Sequence, residues 1–143
     1  AWQVEQTAAG IVDKLGIEGL DWRLCYQSRV GPMKWIGPST DDEIKRAGID
    51  DVALVVAPIA FVSEHSETLV ELDIEYRELA QKSGVPAYDR APAVGCHPAF
   101  IAALADLTRQ TLNRATAKED NMYSHADSRF CPAAHSGCPL ATG

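Results

Sequence analysis

Between Ser63 and Tyr76 the chain reads SEHSETLVELDIEY, which sets one histidine, His65, close to carboxylates at Glu67, Glu71 and Glu75. At about 100° per residue these glutamates and Glu78 fall in a narrow stripe along a helix, while Leu69, Leu72, Tyr76 and Leu79 share another face. Like charges four residues apart oppose each other by roughly 0.2–0.5 kcal/mol per pair, so a bound cation or a travelling proton would relieve the stripe. Two plainer readings stand beside this one. An acidic stripe is commonly a solvated face, and a histidine at a helix start is commonly a local hydrogen-bonding group.

The segment that delivers these residues is Val52 to Val62, VALVVAPIAFV, almost wholly apolar and predicted to be a strand buried on both faces. It brings His65 and Glu67 to the carboxyl end of a strand, the edge at which open α/β sheets bind ligands. A second segment, Ser28 to Pro38 (SRVGPMKWIGP), is broken by two Gly-Pro pairs, yet it carries Val30, Met33, Trp35 and Ile36. So apolar a loop either contacts a flat hydrophobic ligand or folds as a lid over the core.

The flanking elements alternate. Val4, Ala8, Ile11, Val12 and Leu15 recur at helical spacing and Gly16 follows as a C-cap. Trp22 to Gln27 (WRLCYQ) reads as a strand, and Ser39 to Glu43 as a helix start with a Thr40/Glu43 capping box, ending near Gly48. After the acidic helix, Gly84 terminates it and Val85 to Arg90 (VPAYDR) is extended. A last helix runs from Pro98 to about Ala117, with Phe100, Ile101, Leu104, Leu107 and Leu112 as its apolar positions and Asp106 on its polar side. The order α-β-α-β-α-β-α implies an α/β fold with a parallel sheet and right-handed crossovers. Residues 118–143 have no apolar period and are expected to be mobile without a ligand, which divides the chain into a domain over 1–117 and a Cys/His/Pro-containing tail.

Composition narrows the function classes. The 143 residues are 46% hydrophobic and 23% charged, with a formal net charge of −7 and no Lys/Arg cluster, which speaks against nucleic acid as a partner. No apolar run reaches the ~18 residues of a membrane span, so the expected location is cytoplasmic. Glycine loops of the phosphate-binding kind and the GxSxG elbow are missing from the sequence. Cys25 and Cys96 read as core or loop thiols, while Cys131 and Cys138 lie in the tail. The start Ala1-Trp2-Gln3-Val4-Glu5, without Met and already in helical pattern, predicts a piece of a longer protein.

The segments CYQSRVGPMKWIGPST and PIAFVSEHSETLVELDIEY, followed by a helix containing ALADL, resemble the C-terminal part of ferrochelatase, in the style of the proteobacterial and eukaryotic enzymes, over Trp2 to about Leu112. The resemblance implies a three-layer, doubly wound, chelatase-like α/β fold and the insertion of Fe(II) into protoporphyrin IX, the last step of haem synthesis. It implies Glu67 as one of a metal pair, with His65, Glu71 and Glu75 as an acidic path for protons or incoming iron. His65 is the second candidate metal ligand within this chain. Met33, Trp35 and Phe61 would line the porphyrin pocket, Gln27, Ser28 and Arg29 its rim, and Asp106 corresponds to a further functional aspartate of the family.

The departures are as specific. The family's other catalytic histidine and the N-terminal half of the pocket have no counterpart here, so this chain alone is expected to be inactive. Some relatives hold a [2Fe-2S] cluster on three C-terminal cysteines and one from the other half. Here the tail offers Cys131 and Cys138, with His135 between them, which is fewer ligands than four. Two other readings remain: a chelatase for another divalent metal, since His and Glu do not discriminate Fe(II) from Co(II), and a non-catalytic metal-delivery module. Homodimerisation and peripheral contact with the inner membrane are left open by the sequence.

Overall fold

The computed structural model describes residues 2–27, 36–116 and 132–136, and the chain forms two compact units, 1–95 and 96–143. The expected division at residue 117 marks the end of helical periodicity, whereas the compact units part at Gly95, ahead of the last helix.

In the first unit, helix α1 spans Trp2–Leu15 and ends as its sequence predicts, with Gly16 at φ 63° and its N–H donating to the Val12 carbonyl at 3.3 Å. Ala8 is its buried residue, and Ile11 and Leu15 stay exposed. Helix α2, Thr40–Ile49, is capped by Ser39, whose Oγ accepts the Asp42 N–H at 3.2 Å and donates to the Asp42 carboxylate at 2.7 Å. The cap therefore falls one residue earlier than the expected Thr40/Glu43 box. The cause is tertiary: Tyr26 bridges to Ser39, accepting the Thr40 N–H at 3.2 Å and donating to the Pro38 carbonyl at 2.9 Å, which holds Ser39 extended. Thr40 is turned inward, donating to Cys25 Sγ at 3.5 Å, and Glu43 pairs with Arg46.

Strands β1 (Leu54–Val56) and β2 (Tyr88–Arg90) pair in parallel with Leu54 opposite Tyr88 and Val56 opposite Arg90. The parallel α/β arrangement expected from the alternation is present, but its strands are short. The apolar run 52–62 contracts to three residues because Pro58 cannot continue a ladder and the chain turns there, Phe61 N–H donating to the Pro58 carbonyl at 3.2 Å. Nor is β1 buried on both faces, since Val55 is 75% exposed. The expected strand at WRLCYQ reduces to the single bridge at Tyr26.

The acidic segment is helical, but not an α-helix. Glu67–Glu75 forms a π-helix, closed by the Tyr76 N–H reaching back five residues to the Glu71 carbonyl, and continues as α3, Tyr76–Lys82. The wider turn changes which residues face inward. Thr68 and Leu72 are fully buried, whereas Leu69, assigned by α-helical spacing to the Leu72 face, is 49% exposed. Helix α3 closes on Gly84, at φ 81°, with the Val85 N–H donating to the Ala80 carbonyl at 3.0 Å and the Gly84 N–H to the Gln81 carbonyl at 3.2 Å. Ile44, Ala80 and Tyr88 form the core, flanked by Leu54, Val56, Tyr76, Leu79 and Val85.

In the second unit α4 runs Pro98–Thr116, starting at proline as expected, and a turn over 132–136 is closed by the His135 N–H donating to the Pro132 carbonyl at 3.0 Å.

Candidate functional site

His65 sits at the mouth of the π-helix, half-buried, with its ring edge-on to Phe61 at a centroid distance of 4.5 Å. Its main chain is fixed from both sides by Thr68: the His65 N–H donates to the Thr68 hydroxyl at 2.9 Å, and that hydroxyl donates to the His65 carbonyl at 3.0 Å. The His65 carbonyl also accepts the N–H groups of Thr68 and Leu69. Its Nδ1 accepts the Glu67 N–H at 3.2 Å. A neutral ring whose Nδ1 accepts carries its proton on Nε2. In this conformation His65 is thus a donor through Nε2, and ligating a metal would require giving up its bond to the Glu67 N–H, either to free Nδ1 or to move the proton there and free Nε2.

Glu67 and Glu71 are half-buried and lie one wide turn apart; Glu75, a further turn on, is exposed. Gln27 spans the first two, its Nε2 donating to the Glu71 carboxylate at 3.0 Å and to the Glu67 carbonyl at 3.4 Å. The other Glu71 oxygen accepts the Tyr76 hydroxyl at 3.1 Å. Burial, reinforced by the Glu71 carboxylate, raises the Tyr76 hydroxyl above its usual range, so it stays a proton donor. Glu71 is thereby oriented by one donor on each oxygen. Glu78 leaves the ladder: it belongs to α3 and pairs with Lys82 at 3.0 Å.

Beneath the ladder lies a charged cluster that the sequence reading missed. Arg90, its side chain only 8% exposed, makes a forked pair with Asp73 at 2.5 and 2.7 Å and reaches Glu64, the residue before His65, at 3.0 Å. The Thr68 hydroxyl, the Ala93 N–H and Arg90 together hold the Glu64 carboxyl at about 2, and Arg90 lowers Asp73. Reading VPAYDR with a period of two would have put Tyr88 and Arg90 on one strand face, but nothing local says that this face meets the acidic helix.

Asp106 is exposed on α4, in the second unit, and pairs with Arg109 at 2.7 Å. Ser28, Arg29, Met33, Trp35, Cys131 and Cys138 lie outside the described residues. Of the described cysteines, Cys96 is exposed, while Cys25 is half-buried and burial raises its thiol, keeping it protonated. Among the described residues no three His, Cys, Asp or Glu side chains converge as a metal site, and no helix is long and apolar enough to cross a membrane.

The chain is 50% identical over 141 residues to a ferrochelatase of Phenylobacterium zucineum and 50% identical over 141 residues to one of Caulobacter vibrioides, in each case covering 99% of this chain and 39% of the relative. A ferrochelatase of Wolbachia pipientis is 55% identical over 107 residues, 75% of this chain and 33% of that protein. The chain thus spans about two fifths of the length of its first relatives. With residues 1–112 matching the ferrochelatase family model, a stretch that holds His65, the glutamate ladder and the β2 cluster, the chain belongs to the ferrochelatase family.

Proposed function

We propose that this chain contributes the acidic half of an active site that inserts Fe(II) into protoporphyrin IX to give protohaem, a lyase reaction without redox change. What carries the reading is the coincidence of the family match with one local geometry: His65 bonded to the Glu67 N–H, and Glu71 clamped one turn further along the same helix. Metallation must remove two pyrrole protons while the hydrated ion sheds water, which calls for proton acceptors and borderline ligands at the mouth of a dry cleft.

Glu67 is assigned as the metal ligand of this chain, paired with a group from outside it. His65, whose Nδ1 is already occupied, is assigned to proton movement rather than to ligation, and Glu71 and Glu75 carry protons or incoming iron along the helix. Phe61, edge-on to His65, is assigned to the porphyrin side; Met33 and Trp35 are assigned to cover the macrocycle, and Ser28 and Arg29 to its rim, where a guanidinium suits a propionate. Asp106 is kept only as a family correspondence. The chain acts as the C-terminal part of a longer enzyme and is inactive alone.

For the tail, Cys131 and Cys138 are proposed as two ligands of a [2Fe-2S] cluster. With His135 these donors number three, one short of four, so a further ligand must come from outside this set and no step of the reaction is routed through a cluster.

The test is Fe(II) insertion into protoporphyrin IX by the complete protein carrying this chain, compared with its Glu67→Gln variant. Loss of metallation, with stability changed by no more than about 0.5 kcal/mol, is expected. Retained turnover would remove Glu67 from the metal pair, and a wild-type protein that inserts Co(II) but not Fe(II) would favour the chelatase of other specificity.

A further inference from the structure

We infer that Tyr88 is a positioning residue that keeps the acidic helix in its wide spacing, acting through the carbonyl of Leu72. The inference rests on the metallation reading for its kinetic consequence but not for its structural one.

The Tyr76 N–H reaches back five residues to the Glu71 carbonyl, and α3 begins at Tyr76 with four-residue spacing, as in the Ser83 N–H to Leu79 carbonyl bond at 2.9 Å. In an α-helix the Tyr76 N–H would go to carbonyl 72; here it goes to carbonyl 71, so carbonyl 72 loses that partner. A buried carbonyl passed over in this way needs another donor. The Tyr88 hydroxyl donates to the Leu72 carbonyl at 2.8 Å, and Leu72 is buried to 1% exposure. Burial pushes the Tyr88 hydroxyl up to about 12, so it remains a donor across the working pH range.

The same strand face reinforces the switch point. Tyr88 and Arg90, two residues apart, both point at the helix; Arg90 holds Asp73, the residue after Leu72. Arg77 closes the circle, its Nε donating to the Asp73 carbonyl at 3.2 Å and its Nη1 to the Tyr88 carbonyl at 2.7 Å, with the guanidinium 5.2 Å from the Tyr88 ring centre. If the helix tightened to four-residue spacing, carbonyl 72 would be claimed by a backbone N–H and the turn between Glu67 and Glu71 would rotate. The Gln27 and Tyr76 bonds to Glu71 would then be lost together.

The experiment is Tyr88→Phe in the complete protein carrying this chain, read by amide hydrogen exchange over residues 72–78 and by steady-state insertion of Fe(II) into protoporphyrin IX. Expected are exchange at Tyr76 and Arg77 faster by at least about tenfold, an unchanged porphyrin KM and a kcat lower by about tenfold, because the acidic groups are displaced while the porphyrin contacts are not. Unchanged exchange would overturn the inference, as would a variant that no longer folds, since that would make Tyr88 a core residue only. Altered exchange with unchanged kcat in an active enzyme would overturn the positioning role. A wild-type protein without metallation would sink the functional proposal, and the exchange result would still decide whether Tyr88 sets the spacing.

Discussion

His65 and Glu67 are joined through a single hydrogen bond in which the imidazole Nδ1 accepts the Glu67 N–H at 3.2 Å, so the backbone of one proposed catalytic residue chooses the tautomer of the other. At a pH where the ring is neutral, nitrogen-15 spectra of labelled histidine should show His65 protonated on Nε2. A ring protonated on Nδ1 would mean that this bond is absent in solution and would restore His65 as a metal ligand.

Arg90 ties β2 to both ends of the site, and its two carboxylates give stability a definite pH dependence. Glu64, held at about 2, and Asp73, also lowered, have folded-state values below their unfolded ones near 4. Their contribution is therefore fully present above about pH 4.5 and is lost as the pH falls towards about 2. Denaturation midpoints measured between pH 6 and 2 should drop most steeply in that window. Arg90→Met should flatten this slope and lower the denaturation midpoint at neutral pH, because it leaves the Asp73 and Glu64 carboxylates without their shared cation.

Gln27 was expected at the porphyrin rim, yet its amide lies on Glu71 and the Glu67 carbonyl. If its role is to orient the ladder, Gln27→Leu in the complete enzyme should lower kcat about tenfold and leave the porphyrin KM within about twofold. A rise in KM at constant kcat would return Gln27 to the rim.

Gly48 lets α2 touch the end of α3: a Cβ built there would lie 2.0 Å from the Ser83 carbonyl oxygen. Because the obstructing atom is backbone, relief requires the helices to part. Gly48→Ala should destabilise the fold by about 1–3 kcal/mol, seen as a lower thermal midpoint, with metallation at low temperature unaffected in kind.

The local sequence was enough for much of this protein. The helical period from Pro98, the glycine ends at Gly16 and Gly84, the α/β alternation and the closeness of His65 to Glu67 all rest on preferences of neighbouring residues, which survive in almost any context. What sequence could not decide is where a neighbour four or five residues along gives way to one much farther off. The choice of five-residue over four-residue spacing at Glu67–Glu75 is supported by Tyr88, 16 residues beyond Leu72, and by Arg90, 17 beyond Asp73. The clamp on Glu71 comes from Gln27, 44 residues away, and the early cap at Ser39 comes from its bridge to Tyr26. The period of hydrophobic residues records that a helix forms; the width of its turn is set by which carbonyl a distant hydroxyl can reach.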